Sequence, residues 1–149
     1  MADQISARAT RRLGYSVAVA VNVFMLWIMN SLLEWGWPSW LTDEFDQVLP
    51  IINVSIVATI IVNLAYIVYD TAWFKSMLQV GLLVISLVAT IRLYQVFPFD
   101  FSAYSFNWEA VTRICLVFVC IAVGIGLIVE IVKFARAAAE AVATHQPTH

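Results

Sequence analysis

Two arginines stand inside stretches that are otherwise apolar. Arg92 follows Leu87-Val88-Ala89-Thr90-Ile91, and Arg113 precedes Ile114-Cys115-Leu116-Val117-Phe118. Three carboxylates, Glu34, Asp100 and Glu109, fall near the same ends of those stretches, and Glu109 stands one helical turn before Arg113. A guanidinium in an apolar helix needs a counter-charge, or must reach the polar boundary along its own stem. One chemistry open to this cluster is therefore a structural ion-pair network, with Glu109 on Arg113 and Glu34 or Asp100 on Arg92. The other is a cationic pocket for an anion or a lipid phosphate. Glu130 and Lys133, three residues apart, form a second acid–base pair, and a proton-handling role for Glu130 is the alternative there.

A second set of polar groups lies deeper in the apolar sequence: Asn22, Asn30, Asn53, Asn63 and Thr59. If the first two apolar blocks pair as antiparallel helices, residues at one level have position numbers with a constant sum. Asn30 and Asn53 sum to 83, and Asn22 and Asn63 to 85. The difference of two residues is only ~3 Å of helical rise. Ser55, Thr59, Asn63, Tyr66 and Asp70 give the second block one polar face, and Gln79, Ser86, Thr90 and Tyr94 give the third a sparser one. Amides and hydroxyls bonding between helices fix their packing, at ~0.6 kcal/mol each. The alternative is that the stripes line a wet cavity.

Other chemistries are excluded. The only histidines, His145 and His149, stand in the last five residues, so no apolar block offers bis-histidine haem ligation. Cys115 and Cys120 lie about 140° apart around a helix and are not a Cys-x-x-Cys redox pair. No His, Cys and carboxylate cluster has metal-ligand spacing, and there is no phosphate loop or nucleophile elbow. Neither a catalytic constellation nor a cofactor is implied. Eight basic and ten acidic residues leave no basic tract for nucleic acid.

The elements that position these groups follow from composition. The 149 residues are 62% hydrophobic and only 12% charged, too few charges to cover a soluble domain. The mean hydropathy is +0.88, with the apolar residues gathered into four blocks. The expected architecture is an all-α antiparallel bundle of four transmembrane helices at about 13–35, 48–69, 74–97 and 108–134, with a polar tail at 137–149. Each block reaches the ~20 residues that cross a ~30 Å hydrocarbon layer. Gly36-Trp37-Pro38 ends the first span, Tyr69 to Trp73 forms a short turn, and Pro98 with Asp100 ends the third. Pro50 fits the first turn of the second, where its missing N–H costs little. The first block is too long for a cleavable signal peptide and lacks a small-residue cleavage site, so it is expected to remain as a helix.

Lysine and arginine set the expected orientation. Arg8, Arg11 and Arg12 precede the first span, Lys75 follows the short turn, and Lys133 and Arg136 end the fourth. The loops at 36–47 and 98–107 contain neither residue type and carry Asp43, Glu44, Asp46 and Asp100. Both termini are thus expected in the cytoplasm. Trp35, Trp37, Trp40 and Phe45 crowd the first loop, and Phe97, Phe99, Phe101, Tyr104, Phe106 and Trp108 the second. These aromatics read as an interfacial belt, or, for 97–101, as a cap over the mouth of the bundle. In the fourth span Cys120 with Gly124 and Ala122 with Gly126 are small-xxx-small pairs that let helices approach closely.

The stretch Trp40-Leu-Thr-Asp-Glu-Phe-Asp-Gln-Val-Leu-Pro50 resembles loops of small four-span bacterial inner-membrane proteins of unassigned function. So do Tyr69-Asp70 with Trp73-Phe74-Lys75, and Val96-Phe-Pro-Phe-Asp-Phe101. The resemblance implies a helical bundle and no activity. The expected role is structural, accessory or regulatory, through association with a second copy or with other membrane subunits in the lipid bilayer. A channel or carrier for an anion or small amphiphile, and a lipid-binding protein using the aromatic loops, are the alternatives.

Overall fold

The computed structural model describes residues 2–69 and 71–143, with side chains across 9–69 and 71–140. Asp70, His145 and His149 lie outside the described residues, and so does the Arg8 side chain. Four helices follow in chain order: α1 (Ala2–Trp35), α2 (Leu49–Val68), α3 (Ala72–Val96) and α4 (Trp108–Ala143), with a 3₁₀ turn at Asp43–Gln47 before α2. All four are long and apolar enough to cross a membrane. Four such helices are the mark of a multi-pass membrane protein.

Two boundaries differ from expectation. α1 starts at Ala2 rather than near residue 13, and α4 runs on to Ala143 through most of the segment read as a polar tail. Neither extension contains Gly or Pro, and the run Ala135-Arg136-Ala137-Ala138-Ala139-Glu140 is built from the strongest helix formers. At ~1.5 Å per residue these helices are each more than ~50 Å long, well beyond a ~30 Å hydrocarbon layer.

The ends have local causes. Gly36, at φ +59°, takes the left-handed conformation that stops α1, and its N–H donates to the Leu33 carbonyl at 3.1 Å. Phe97 stops α3 in the same conformation, at φ 46°, because Pro98 denies it the helical region. Asn107 caps α4, its side-chain oxygen accepting from the Ala110 N–H at 3.1 Å.

The helices pack in chain order, α1 on α2, α2 on α3 and α3 on α4, with the α2–α3 seam the slightest. This is an open row with α1 and α4 at its margins. In the first half of α1, Tyr15 lies against Tyr66 near the end of α2, with ring centroids 5.4 Å apart. Near the end of α1, Asn30 bonds Asn53 near the start of α2. The two long connections meet at one end of the row, here called the loop end. The short Tyr69–Thr71 connection marks the turn end. Among the described residues few side chains are buried: Phe45, Val48 and Pro98 at the loop end, and Val62 and Tyr66 within α2.

Candidate functional site

At the loop end the backbone ties the two long connections together. The Thr42 N–H donates to the Pro98 carbonyl at 3.1 Å, and the Asp100 N–H donates to the Trp40 carbonyl at 2.8 Å. Leu41 and Phe99 pair across an isolated antiparallel β-bridge. This lock sets Trp40 beside the second loop, 5.6 Å from the Phe99 ring and 5.9 Å from Phe101. Phe99 stacks on Phe101 at 6.1 Å, and Tyr104 meets Phe101 edge-on at 6.4 Å. Trp108 and Thr112, one turn apart on α4, complete an aromatic cup with a cavity of about 550 Å³. That volume lies within the range of small-molecule sites. The aromatic density of 97–101 points to a cap from the sequence alone. Trp40 does not, because only the β-bridge brings it there.

The charged cluster comes together only in part. Arg113 Nε donates to Glu109 Oε1 at 3.1 Å, and its guanidinium lies 4.0 Å over the Phe97 ring centroid and 5.7 Å from that of Tyr94. Arg92 is exposed and makes no ion pair among the described residues. Neither expected partner reaches it. Glu34 is exposed on α1, and Asp100 instead accepts from the Ser102 N–H at 2.9 Å, which holds its carboxyl below the usual carboxylate range. Tyr94, which faces Arg113, stands two residues from Arg92, about 200° around the helix. The arginines therefore diverge, and neither the five-residue network nor the convergent anion pocket forms. Arg92→Gln should shift stability by less than about 0.5 kcal/mol, as at an exposed unpaired site. A Glu109→Gln/Arg113→Gln cycle in thermal unfolding should show a coupling of about 0.3–0.5 kcal/mol, as expected for an i,i+4 pair. Additive effects would mean that the pair contributes nothing.

The asparagines divide in the same way. Asn30 and Asn53 exchange two amide bonds, each 2.9 Å, and Asn30 Nδ2 also donates to the Leu26 carbonyl at 2.7 Å. Asn22 and Asn63, which the same arithmetic puts at one level, do not bond each other. Asn22 donates to the Ala18 carbonyl and Asn63 to that of Thr59, both at 2.8 Å. Thr59 itself donates to Ser55, and Thr90 to Ser86. In each case a helix carbonyl four residues back takes one donor of the side chain. In an Asn30→Leu/Asn53→Leu cycle, the double variant should lose less stability than the single losses together, by about 0.6–1.7 kcal/mol. Additive losses in SDS-induced unfolding would remove the pair from the packing of α1 on α2.

At the turn end, Lys75 ties three helices. Its Nζ donates to the Tyr15 hydroxyl at 2.9 Å and lies 5.4 and 5.8 Å from the ring centroids of Tyr15 and Tyr66. The Tyr66 hydroxyl donates to the Lys75 carbonyl at 3.1 Å. Glu130 and Lys133 pair at 2.7 Å beside this knot, and with Tyr66, Lys75 and Gln79 they border a shallow cavity of about 360 Å³. The Glu130–Lys133 spacing is visible in the sequence. The contact between Tyr15 and Lys75, sixty positions apart, has no local signal. Cys115 is exposed, Cys120 is half-buried, and both are free thiols. No protein-family model matches the chain, nor does any curated protein or solved structure compared with it.

Proposed function

We propose that this chain is a non-enzymatic accessory protein of the bacterial plasma membrane that holds an amphiphile in the aromatic cup at its loop end. The helices cross antiparallel, with both termini and the turn end in the cytoplasm. The observation that carries the binding role is the cup itself. Six residues from both loops and α4 border an open cavity of about 550 Å³, and backbone hydrogen bonds hold the two loops together. Aromatic side chains at the level of a membrane–water boundary, arranged around a cavity, suit a ligand with an apolar chain and a polar head. The near-constant sums of the Tyr15–Tyr66 and Asn30–Asn53 contacts support the antiparallel crossing. The basic residues at the turn end and their absence from both loops support the orientation.

Photo-crosslinking tests the binding role. A diazirine-bearing alkyl probe should give adducts concentrated on the cup residues, competed by excess unlabelled lipid. Adducts spread evenly over lipid-facing positions such as Phe24, Val68 and Phe118 would sink it. For orientation, cysteines at Ser39 and Ser102 should react with an impermeant maleimide in intact cells, while Thr144→Cys should not. The opposite pattern would invert the protein.

Association with a second copy or another membrane subunit is favoured by one further observation. A Cβ at Gly126 would rest in ordinary contact with Leu83 of α3, at 3.7 Å, so that position faces a helix of the same chain, whereas a Cβ at Gly124 would meet nothing within 4 Å. The Cys120–Gly124 face at the margin of the row is therefore open to another helix. Transport has less support, because the side chains offered as a wet path bond to carbonyls of their own helices.

A further inference from the structure

We infer that the aromatic cup selects the head of a cationic amphiphile, a quaternary or protonated ammonium group carried on an apolar chain. The inference rests on reading the cup as an amphiphile site and names the chemistry of its ligand. Ring faces carry negative electrostatic potential, strongest for tryptophan, and attract a cation within about 6 Å of the centroid. The lining supplies Trp40, Phe99, Phe101, Tyr104 and Trp108, and its remaining member, Thr112, is uncharged. No ammonium or guanidinium belongs to that lining, so an anionic head would find no counter-charge there.

The surroundings repel an anion as well. The two loops carry Asp43, Glu44, Asp46 and Asp100 and no basic residue. Asp100 stands between the two stacked phenylalanines of the cup and is held ionised by the Ser102 N–H. Arg113 follows Thr112, but its charge is matched by Glu109 and its guanidinium is laid on Phe97. That contact also shows a cation already resting on a ring face of this cluster, since Phe97 packs edge-on against Phe99 at 5.3 Å.

The test compares three probes of equal chain length, decyltrimethylammonium, decyl sulfate and decyl maltoside, titrated calorimetrically against the full chain in neutral nanodiscs. Decyltrimethylammonium should bind about tenfold tighter than decyl sulfate, and Trp40→Leu or Trp108→Leu should abolish most of that preference. Leucine keeps apolar surface and removes the ring, so both variants should weaken decyltrimethylammonium more than decyl maltoside. In the unmodified protein, the N-methyl protons of bound decyltrimethylammonium should move upfield in NMR spectra through the ring currents around them, a readout that needs no substitution. Equal binding of the three probes would overturn the cationic selectivity and leave the amphiphile site standing. Failure of all three to bind would overturn both. A preference that survives both leucine variants, or unshifted N-methyl protons, would trace it to diffuse loop charge and overturn the assignment to the cup.

Discussion

Phe45→Ala should lower the stability of this protein by about 3–5 kcal/mol, the usual cost of truncating an enclosed phenylalanine. Phe45 is only 4% exposed, and Val48 beside it is fully enclosed. Val48 follows the 3₁₀ turn that carries Phe45, and this turn packs on both α2 and α3. Its location matters more than its burial. Between helices in lipid, an apolar contact replaces an equally apolar contact with an acyl chain, so burial there has no hydrophobic driving force. The turn lies outside the four long apolar helices, where the alternative to burial is water and the full transfer term applies. Val62 in α2 is nearly as enclosed, at 6%, yet Val62→Ala should cost markedly less. Thr42→Val, in the same lock, should be neutral to stabilising because the Thr42 hydroxyl is buried without a hydrogen-bond partner. Phe45→Ala should also weaken amphiphile binding, since loosening the turn loosens the loop that carries Trp40. Thermal unfolding followed by near-ultraviolet circular dichroism compares the variants. A loss for Phe45→Ala no greater than that for Val62→Ala would remove the loop-end core as the main source of stability.

The same contrast between lipid and water explains which features can be read in the sequence. The four spans are legible because ~30 Å of hydrocarbon demands a run of apolar residues that no soluble element needs. The breaks at Gly36, Pro50 and Pro98 are legible because backbone chemistry dictates them. The order of packing is not, because the polar stripes of the second and third spans do not say which neighbour each face meets. Level matches Asn30 to Asn53, which bond, and Asn22 to Asn63, which do not bond each other. An asparagine in a helix has a second way to be satisfied, through the carbonyl four residues back, and position numbers cannot tell which it takes. Of the charged pairs, those one turn apart on a single helix, Glu109–Arg113 and Glu130–Lys133, were legible. The expected pairing of Arg92 depended on rotations of α3 that spacing does not encode. The cup was half legible for a similar reason. Its second wall arrives through hydrogen bonds between two loops distant in sequence, and only the folded chain brings Trp40 to Phe99.

Lys75→Met should cost about 2 kcal/mol, through the loss of a charge-assisted hydrogen bond and of two ring contacts. Methionine keeps the apolar stem and removes only the cation, so the change isolates the electrostatic part. The knot joins α1 and α2 to the first turn of α3, across the slightest of the three helix seams. Its loss should therefore appear as separation of the α1–α2 pair from the α3–α4 pair, and not as unravelling within either pair. Part of the cost is returned, because a half-buried ammonium no longer has to be desolvated. Tyr15→Phe removes the hydroxyl that accepts from Nζ but keeps the ring, and should cost about 1 kcal/mol. Combined with Lys75→Met it should add almost nothing further, since the bond is already gone. Lys75→Arg, which retains a cation able to stack on tyrosine, should fall between Lys75→Met and the parent. Lys75 also belongs to the positive side of the chain, so the maleimide pattern at Ser39→Cys and Ser102→Cys must be unchanged before any loss is assigned to the knot. With topology intact, SDS-induced unfolding of reconstituted protein reads the coupling. Full additivity of Tyr15→Phe and Lys75→Met would mean that the tyrosine and the lysine act separately, and the knot would not be what holds the two helix pairs together.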